Sequence, residues 1–374
     1  MKKLFLFIVC FSFNFGISQI INIPDPAFKS LLINSSSSIN TAFDCVNYNN
    51  YKIDINNNGE IEESEALLVC TLFINTPGIF DLTGIEFFSN LTFLGCFNNN
   101  VTNLDVSQLI NLVQLFCGQN NLTNLDVSQN INLHLLACTN NNLTSLNVSQ
   151  LTQLEGLNVR QNQLTILDIS NLSNLKTAYF ANNQINTFDF ANTPMLEKVF
   201  CSNNQLTSLD FRSNPLFNEL DCMNNPNLSD VNISNGTTQL FGPQTYYNQC
   251  WSGCPNLAKI CADSNEMSAL QTYLTSCGID ISSITFNTNC VLANEEFGLE
   301  EVAIYPNPAV DNVNITSNEN IKTVELIDIQ GRMLQSKTIN KLNTNIDISG
   351  YINGDYFVKV TSDKAQSSYK LIKN

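Results

Sequence analysis

The chain holds one histidine and one tryptophan in 374 residues, and only 13% of its residues are charged. That single histidine, His134, cannot supply the paired imidazoles of a zinc-hydrolase motif. It directly follows the apolar Leu133 and reads as a surface residue. Neither a nucleophile elbow nor a phosphate-cradling glycine loop is present. Basic residues are scarce too: 17 Lys and Arg stand against 33 Asp and Glu. A surface this acidic argues against nucleic acid or anionic lipid as a partner and is compatible with divalent cations. No segment after Ser18 is apolar for long enough to span a membrane. A glycosidase-type carboxylate pair is the catalytic arrangement left open, and nothing singles one out.

What the chain does have is a period. One column, at a constant 21-residue step, reads Cys96, Cys117, Cys138, Val159, Phe180, Cys201, Cys222. Three positions on, a second reads Asn99, Asn120, Asn141, Asn162, Asn183, Asn204, Asn225 without exception. Leu91, Leu112, Leu133, Leu154, Leu175, Leu196 and Phe217 stand five positions before the first column, and Leu94, Leu115, Leu136, Leu157, Ala178, Val199 and Leu220 two before it. Leu104 and Val106 open two further apolar columns; the last unit, after one inserted residue, keeps the pattern with Leu228 and continues these two as Val231 and Ile233. A unit this short cannot fold alone and must bury its apolar edge against its neighbours, so the pattern implies a solenoid. The Asn side chain has the donors and acceptor to satisfy backbone groups at the turn that leaves each strand.

The unit resembles the leucine-rich repeat in its short bacterial, internalin-like form, over about residues 70–235. The resemblance implies one short parallel strand per coil on a concave side and short convex turns that are extended or 3₁₀. Residues 79–86 look like a degenerate first coil and 255–262 like a last strand. A helix through Met267, Leu270, Tyr273 and Leu274, capped by Asp263 or Ser264, would shield the open end.

Both ends carry addresses. Met1, Lys2 and Lys3 precede an apolar run to Phe13, and Gly16 and Ser18 offer small residues for cleavage, as in a secretory signal peptide over 1–18. Its removal takes two lysines and leaves 15 basic against 33 acidic residues, a formal charge of −18. It also leaves 12 cysteines bound for an oxidising compartment. Five are ladder positions that interchange with Val and Phe, and read as small buried hydrophobes. Cys45, Cys70, Cys250, Cys254, Cys261, Cys277 and Cys290 flank the ladder, where disulfides fit, with a pairing that seven cysteines leave open. At the other end come YPNP at 305–308, VELIDIQGRML at 324–334 and GDYFVKV at 354–360. Their alternating apolar runs predict a small antiparallel β-sandwich of about seven strands. These motifs look like the type A C-terminal sorting domain of the type IX secretion system, over 301–374. That resemblance implies handling by the secretion machinery and release or attachment outside the cell.

Three candidate sites follow. Residues 54–65, DINNNGEIEESE, match the 12-residue EF-hand calcium loop. Asp54, Asn56 and Asn58 stand at positions 1, 3 and 5, with Gly59 at the sharp turn. Glu60 contributes its carbonyl at 7, Glu62 acts at 9 directly or through water, and Glu65 closes the site at 12. An exit helix over 62–69 is expected and an entry helix is not, because 47–51 is an Asn/Tyr stretch. The second candidate is the concave face, where outward strand residues include Phe93, Phe97, Phe116, Asn158, Arg160, Tyr179, Phe200 and Asp221. Clustered aromatics on a rigid sheet suit a protein or glycan ligand. The third is the column Asp105, Asp126, Asn147, Asp168, Asp189, Asp210 and Asn232, which reads as side chains bonding their own turns.

The sequence therefore predicts a mainly β, non-enzymatic recognition protein outside the cell. It comprises a calcium-bearing cap over 19–70, a solenoid over 71–235, a second cap over 236–290, a linker over 291–300 and the sorting domain. A structural matrix protein without a selective ligand, and a hydrolase of an extracellular polymer, are the alternatives.

Overall fold

The computed structural model describes residues 19–74, 76–236, 251–288, 302–328, 332–362 and 366–374. The expected signal peptide and linker, with Cys250 and Cys290, lie outside the described residues. The chain forms two compact units, Met1–Asn289 and Cys290–Asn374.

In the first unit the period becomes one three-residue strand per coil. After β1 (Ala42–Asp44) and β2 (Val69–Phe73) come β3 (Phe93–Gly95), β4 (Gln114–Phe116), β5 (Leu135–Ala137), β6 (Gly156–Asn158), β7 (Thr177–Tyr179) and β8 (Lys198–Phe200). Then follow β9 (Ser208–Asp210), β10 (Glu219–Asp221), β11 (Asp230–Asn232), β12 (Lys259–Cys261) and β13 (Thr285–Asn287). Strands β2 to β8 and β10 lie parallel and in register in one sheet, and antiparallel β1 covers its first edge. The central residue of each ladder strand, such as Leu115 or Leu136, is buried among its equivalents from adjacent coils.

The Asn column sets the coil. The Asn141 amide donates to the carbonyls of Cys117 (3.1 Å) and Cys138 (3.0 Å), while its oxygen accepts the Leu122 N–H at 3.0 Å. The side chain so ties its own turn to the preceding coil, and Asn120, Asn162, Asn183, Asn204 and Asn225 repeat the pattern. Asn99 departs from it: its Oδ1 is buried without a partner among the described residues. The Phe80 N–H that the period would bring to it goes to the Asp25 carboxylate at 2.9 Å. Asp25 also caps the helix α1 (Pro26–Ile33) by accepting from Ala27 and Phe28, and so clips the cap to the first coil. Burial opposes ionisation of Asp25, but the four backbone N–H groups win and hold its pKa below the usual carboxylate value.

One residue before each Asn, the chain turns through a left-handed backbone at Asn98, Gln119, Asn140, Gln161, Asn182, Asn203 and Asn224, with φ from 53° to 61°. All seven are exposed, so a row of amides rims the sheet at the ends of its strands. Inside, Cys96, Cys117, Cys138, Cys201 and Cys222 are buried and free. Burial pushes the thiols of Cys96 and Cys138 up to about 12. Further along, the filling turns aromatic, with Phe180–Phe188 at 3.9 Å and Phe211–Phe217 at 3.8 Å between ring centroids.

Three expectations for this unit need correction. The exit helix expected over 62–69 is only the single turn α2 (Glu63–Ala66), because β2 already begins at Val69 and draws the chain into the sheet. The segment 255–262 does supply a strand, β12, but in a second parallel sheet of β9, β11, β12 and β13 rather than at the end of the concave one. It replaces irregular turns in the last coils, where insertions lengthen the repeat. The helix α3 (Met267–Ser276) forms, yet neither Asp263 nor Ser264 caps it; Glu266 stands at that position, and the Asp263 carboxylate accepts the Gly236 N–H at 2.7 Å. Among the flanking cysteines, Cys45 and Cys70 form a disulfide with Cα atoms 4.9 Å apart, and Cys261 and Cys277 each take part in a disulfide as well.

The second unit is antiparallel: β14 (Ala303–Tyr305), β15 (Asn312–Asp328), β16 (Met333–Asp347), β17 (Gly354–Ser362) and β18 (Gln366–Lys373). Among the described residues five strands stand where about seven were expected, because β15 and β16 run on for 17 and 15 residues. Register shifts around Ile321 keep these long strands in one hydrogen-bonded sheet while letting them turn. Val313, Ile315, Val324, Val358 and Leu371 fill its core.

Candidate functional site

The outward column of the concave sheet collects two aromatic groups. At the first end Phe43, Phe73, Phe93 and Phe116 follow one another with centroids 6.0, 4.6 and 5.4 Å apart. Gly95 makes room for them: a Cβ there would meet the Phe93 ring at 3.1 Å and the Phe73 ring at 3.4 Å. Phe97, beside them, is 40% exposed. Phe43 and Phe73 were not in the expected set. Phe73 pairs with Gly95, one position beyond where the 21-residue step would place its partner, so it falls off the column. Phe43 sits on an antiparallel strand that no period reveals.

Past a low floor at Leu135, Ala137, Gly156 and Asn158 comes the second group. The Arg160 guanidinium lies 4.2 Å above the Tyr179 ring, which stacks on Phe200 at 4.6 Å. A cation over an aromatic face is held by the ring quadrupole. Phe200 and Asp221 were expected to face solvent, but they are 3% and 8% exposed. They support Arg160 and Tyr179 from below and beside rather than forming surface. Burial pushes the Asp221 carboxyl up, against a Ser202 hydrogen bond, the Met223 N–H and the field of Arg160. Glu219, also buried, pairs with Lys198 at 2.8 Å.

The loop at 54–65 closes on three buried carboxylates. Asp54 accepts the N–H groups of Asn58 and Gly59, both at 3.2 Å. Glu65 accepts those of Ile55 at 2.8 Å and Glu62 at 3.1 Å. The amides of Asn58 and Asn56 reach Glu62 at 2.6 and 3.2 Å. Glu60 turns its side chain away to Lys29 at 2.6 Å, leaving only its carbonyl for the loop. Burial pushes Glu65 up and the neighbouring Glu62 adds to it, whereas hydrogen bonds pull Glu62 down. None of the three carboxylates has a basic partner among the described residues, and no set of three His, Cys, Asp or Glu side chains there meets the geometry of a metal cluster. An ion would need the Asn oxygens and backbone carbonyls as well, which is how a calcium loop is composed.

In the turn column Asp105, Asp126, Asp168 and Asp189 each accept the N–H two positions on, at 2.9 Å. His134 Nδ1 lies 3.0 Å from the Asn132 carbonyl.

Residues 303–374 match the family model described as the secretion system C-terminal sorting domain. A search of curated proteins returned no match. Among solved structures, the functional domain of InlJ from Listeria monocytogenes, which includes a cysteine ladder, is 20% identical with a TM-score of 0.39, covering 84% of this chain and 93% of that one. Internalin C2 from the same species is 19% identical, with a TM-score of 0.38 and coverage of 65% and 94%. A leucine-rich-repeat protein from Leptospira interrogans is 23% identical, with a TM-score of 0.36 and coverage of 59% and 51%. The chain thus holds a solenoid of 21-residue coils with parallel strands and, over 303–374, a secretion system sorting domain, and that domain marks it as secreted or attached at the outer surface.

Proposed function

We propose that the solenoid is a recognition module that binds a protein or glycan outside the cell through its concave face, without catalysis of its own. The supporting observation is the contrast within each strand. The inward positions repeat from coil to coil, while the outward ones gather aromatics into two groups around a low floor. Rigid rings on a preformed sheet give large contact area at small entropic cost. A photo-crosslinking residue placed at position 97 on the concave side, compared with one at exposed position 131, tests the reading. Capture of one saturable species from position 97 alone is expected; equal capture at both sites contradicts it.

Calcium in the 54–65 loop belongs to the same proposal, as a stiffener of the N-terminal cap. Asp54, Asn56, Asn58, the Glu60 carbonyl, Glu62 and Glu65 would hold the ion, whose charge would offset three buried carboxylates with no cationic neighbour. The affinity expected of such an extracellular loop is of order 10⁻⁴ to 10⁻³ M.

A further inference from the structure

Cations are scarce enough in the first unit to be followed one by one. Among its described residues, Lys29 pairs with Glu60, Lys176 with Glu155, Lys198 with Glu219, Arg212 with Asp210 and Lys259 with Asp230. Lys52 donates to Asn57. Of these described cations only Lys52 and Arg160 have no carboxylate within ion-pairing distance, and Lys52 has its amide partner, whereas Arg160 has none. Its Nε is buried with no hydrogen-bond partner, and its guanidinium is held over Tyr179. Asp221 feels its field but is itself buried and occupied by Ser202 and Met223. A charge parked on a ring, with its fork unused, is a preorganised receptor for a planar anion.

Its surroundings specify the rest of the ligand. Three rungs from the Tyr179 ring that holds the guanidinium, roughly 14 Å at about 4.8 Å per strand, Phe116 and then Phe93 offer aromatic surface beyond the floor of Ala137 and Gly156. Along the rim runs the row of exposed amides, one per rung, each able to donate and accept. Stacking surface, a regular ladder of neutral donors and acceptors, and a single fork for a carboxylate match an extended sugar chain better than a polypeptide, whose side chains would leave the repeated amides unused. We infer that the concave face takes a glycan lying across the strands, with the carboxylate of an acidic sugar on Arg160 and sugar rings over Phe93 and Phe116. The inference rests on the recognition reading above and narrows it to uronate-type sugars. The acidity of the chain does not oppose this locally. Glu155 and Glu219 of the concave side are paired with lysines, and charges more than about 8 Å away are largely screened at physiological salt.

The test is calorimetric titration of the full chain with oligomers of galacturonate, of alginate and of hyaluronan, each beside its carboxyl-reduced counterpart. At least one acidic oligomer is expected to bind saturably, and to lose about tenfold or more in affinity on carboxyl reduction, as for a lost charge-assisted bidentate contact. Arg160→Gln should lose the same factor on the acidic oligomer and nothing further on the reduced one. Arg160→Lys should fall between, and an unchanged urea midpoint for both variants shows that the fold is intact. No binding of any acidic oligomer, or equal binding by Arg160→Gln, overturns the inference. A neutral glycan or a protein that binds independently of Arg160 but is lost in Phe93→Ala/Phe116→Ala also overturns it, while leaving the recognition reading standing. Binding indifferent to both sets of variants removes the two together.

Discussion

Each ladder strand carries two columns one position apart, and they obey opposite rules. The inward one reads Leu115, Leu136, Leu157 over β4 to β6; the outward one reads Phe116, Ala137, Asn158. Further along each coil, the Asn ladder makes the same bonds from Asn120 to Asn225. Interior positions are held alike because each must meet its equivalent in the next coil, whereas nothing in the coil dictates what faces outward. Shape is therefore fixed from inside, and selectivity is free to be written outside.

The sharpest way to break that division is to remove an interior amide. Asn141→Ala leaves the buried Leu122 N–H unpaired and takes one of two amide donors from each of the Cys117 and Cys138 carbonyls, and at about 1–3 kcal/mol for the orphaned group and about 1 kcal/mol for the lost bonds it should cost roughly 2–4 kcal/mol in urea unfolding. Asn99→Ala should cost less, because its Oδ1 accepts nothing to begin with. Equal costs would mean that the ladder does not work as described. Of similar size, Cys45→Ala/Cys70→Ala removes the bridge across 25 residues and should cost about 2–4 kcal/mol.

Calcium sharpens the comparison at the cap. At 10 mM it should stabilise the chain by roughly 1.4–2.7 kcal/mol if the affinity is of order 10⁻³ to 10⁻⁴ M, and Glu65→Gln should abolish the shift. The pH dependence has a definite sign. Glu65 has a raised pKa in the folded protein, so without calcium the stability it contributes is present below its unfolded value and is lost as pH rises through the folded one. Calcium needs the ionised form, so its affinity should weaken on acidification through that same raised value. A shift that persists in Glu65→Gln contradicts the assignment.

The smallest effect belongs to the thiol ladder. Cys117→Val copies what Val159 does two coils on, and should cost less than about 1.5 kcal/mol. A thiol reagent at pH 8 should label Cys254, whose pKa a hydrogen bond with the Cys222 side chain lowers, and spare Cys117, whose burial pushes its thiol well up. Rapid labelling of Cys117 in the folded chain would show that the interior is open.

The period alone makes the ladder legible, because a buried position must recur wherever the coil recurs. The same logic explains what a period cannot reach. Phe73 lies one position off the 21-residue step and Phe43 on an antiparallel strand, so neither belongs to a column. The second sheet begins where the repeat is stretched, by a single insertion between Ser208 and Asp230 and by a longer one between Asp230 and Lys259, beyond what a fixed step can follow. Phe200 and Asp221 do stand on the outward column, but alternation along a strand gives direction and not depth; a neighbour's ring or guanidinium can bury what points outward. The loop at 54–65 is legible as a ligand pattern because its spacing is local, while the shortness of its exit helix depends on the sheet that follows.

The central claim is that recognition resides on the outward column. The most direct measurement is a binding screen of the full chain, in calcium, against extracellular glycans and surface proteins, run beside Phe93→Ala/Phe116→Ala and the turn-column control Asp126→Asn. The account predicts a saturable ligand that the first variant loses at an unchanged unfolding midpoint and the control keeps. A ligand bound equally by all three proteins would contradict it.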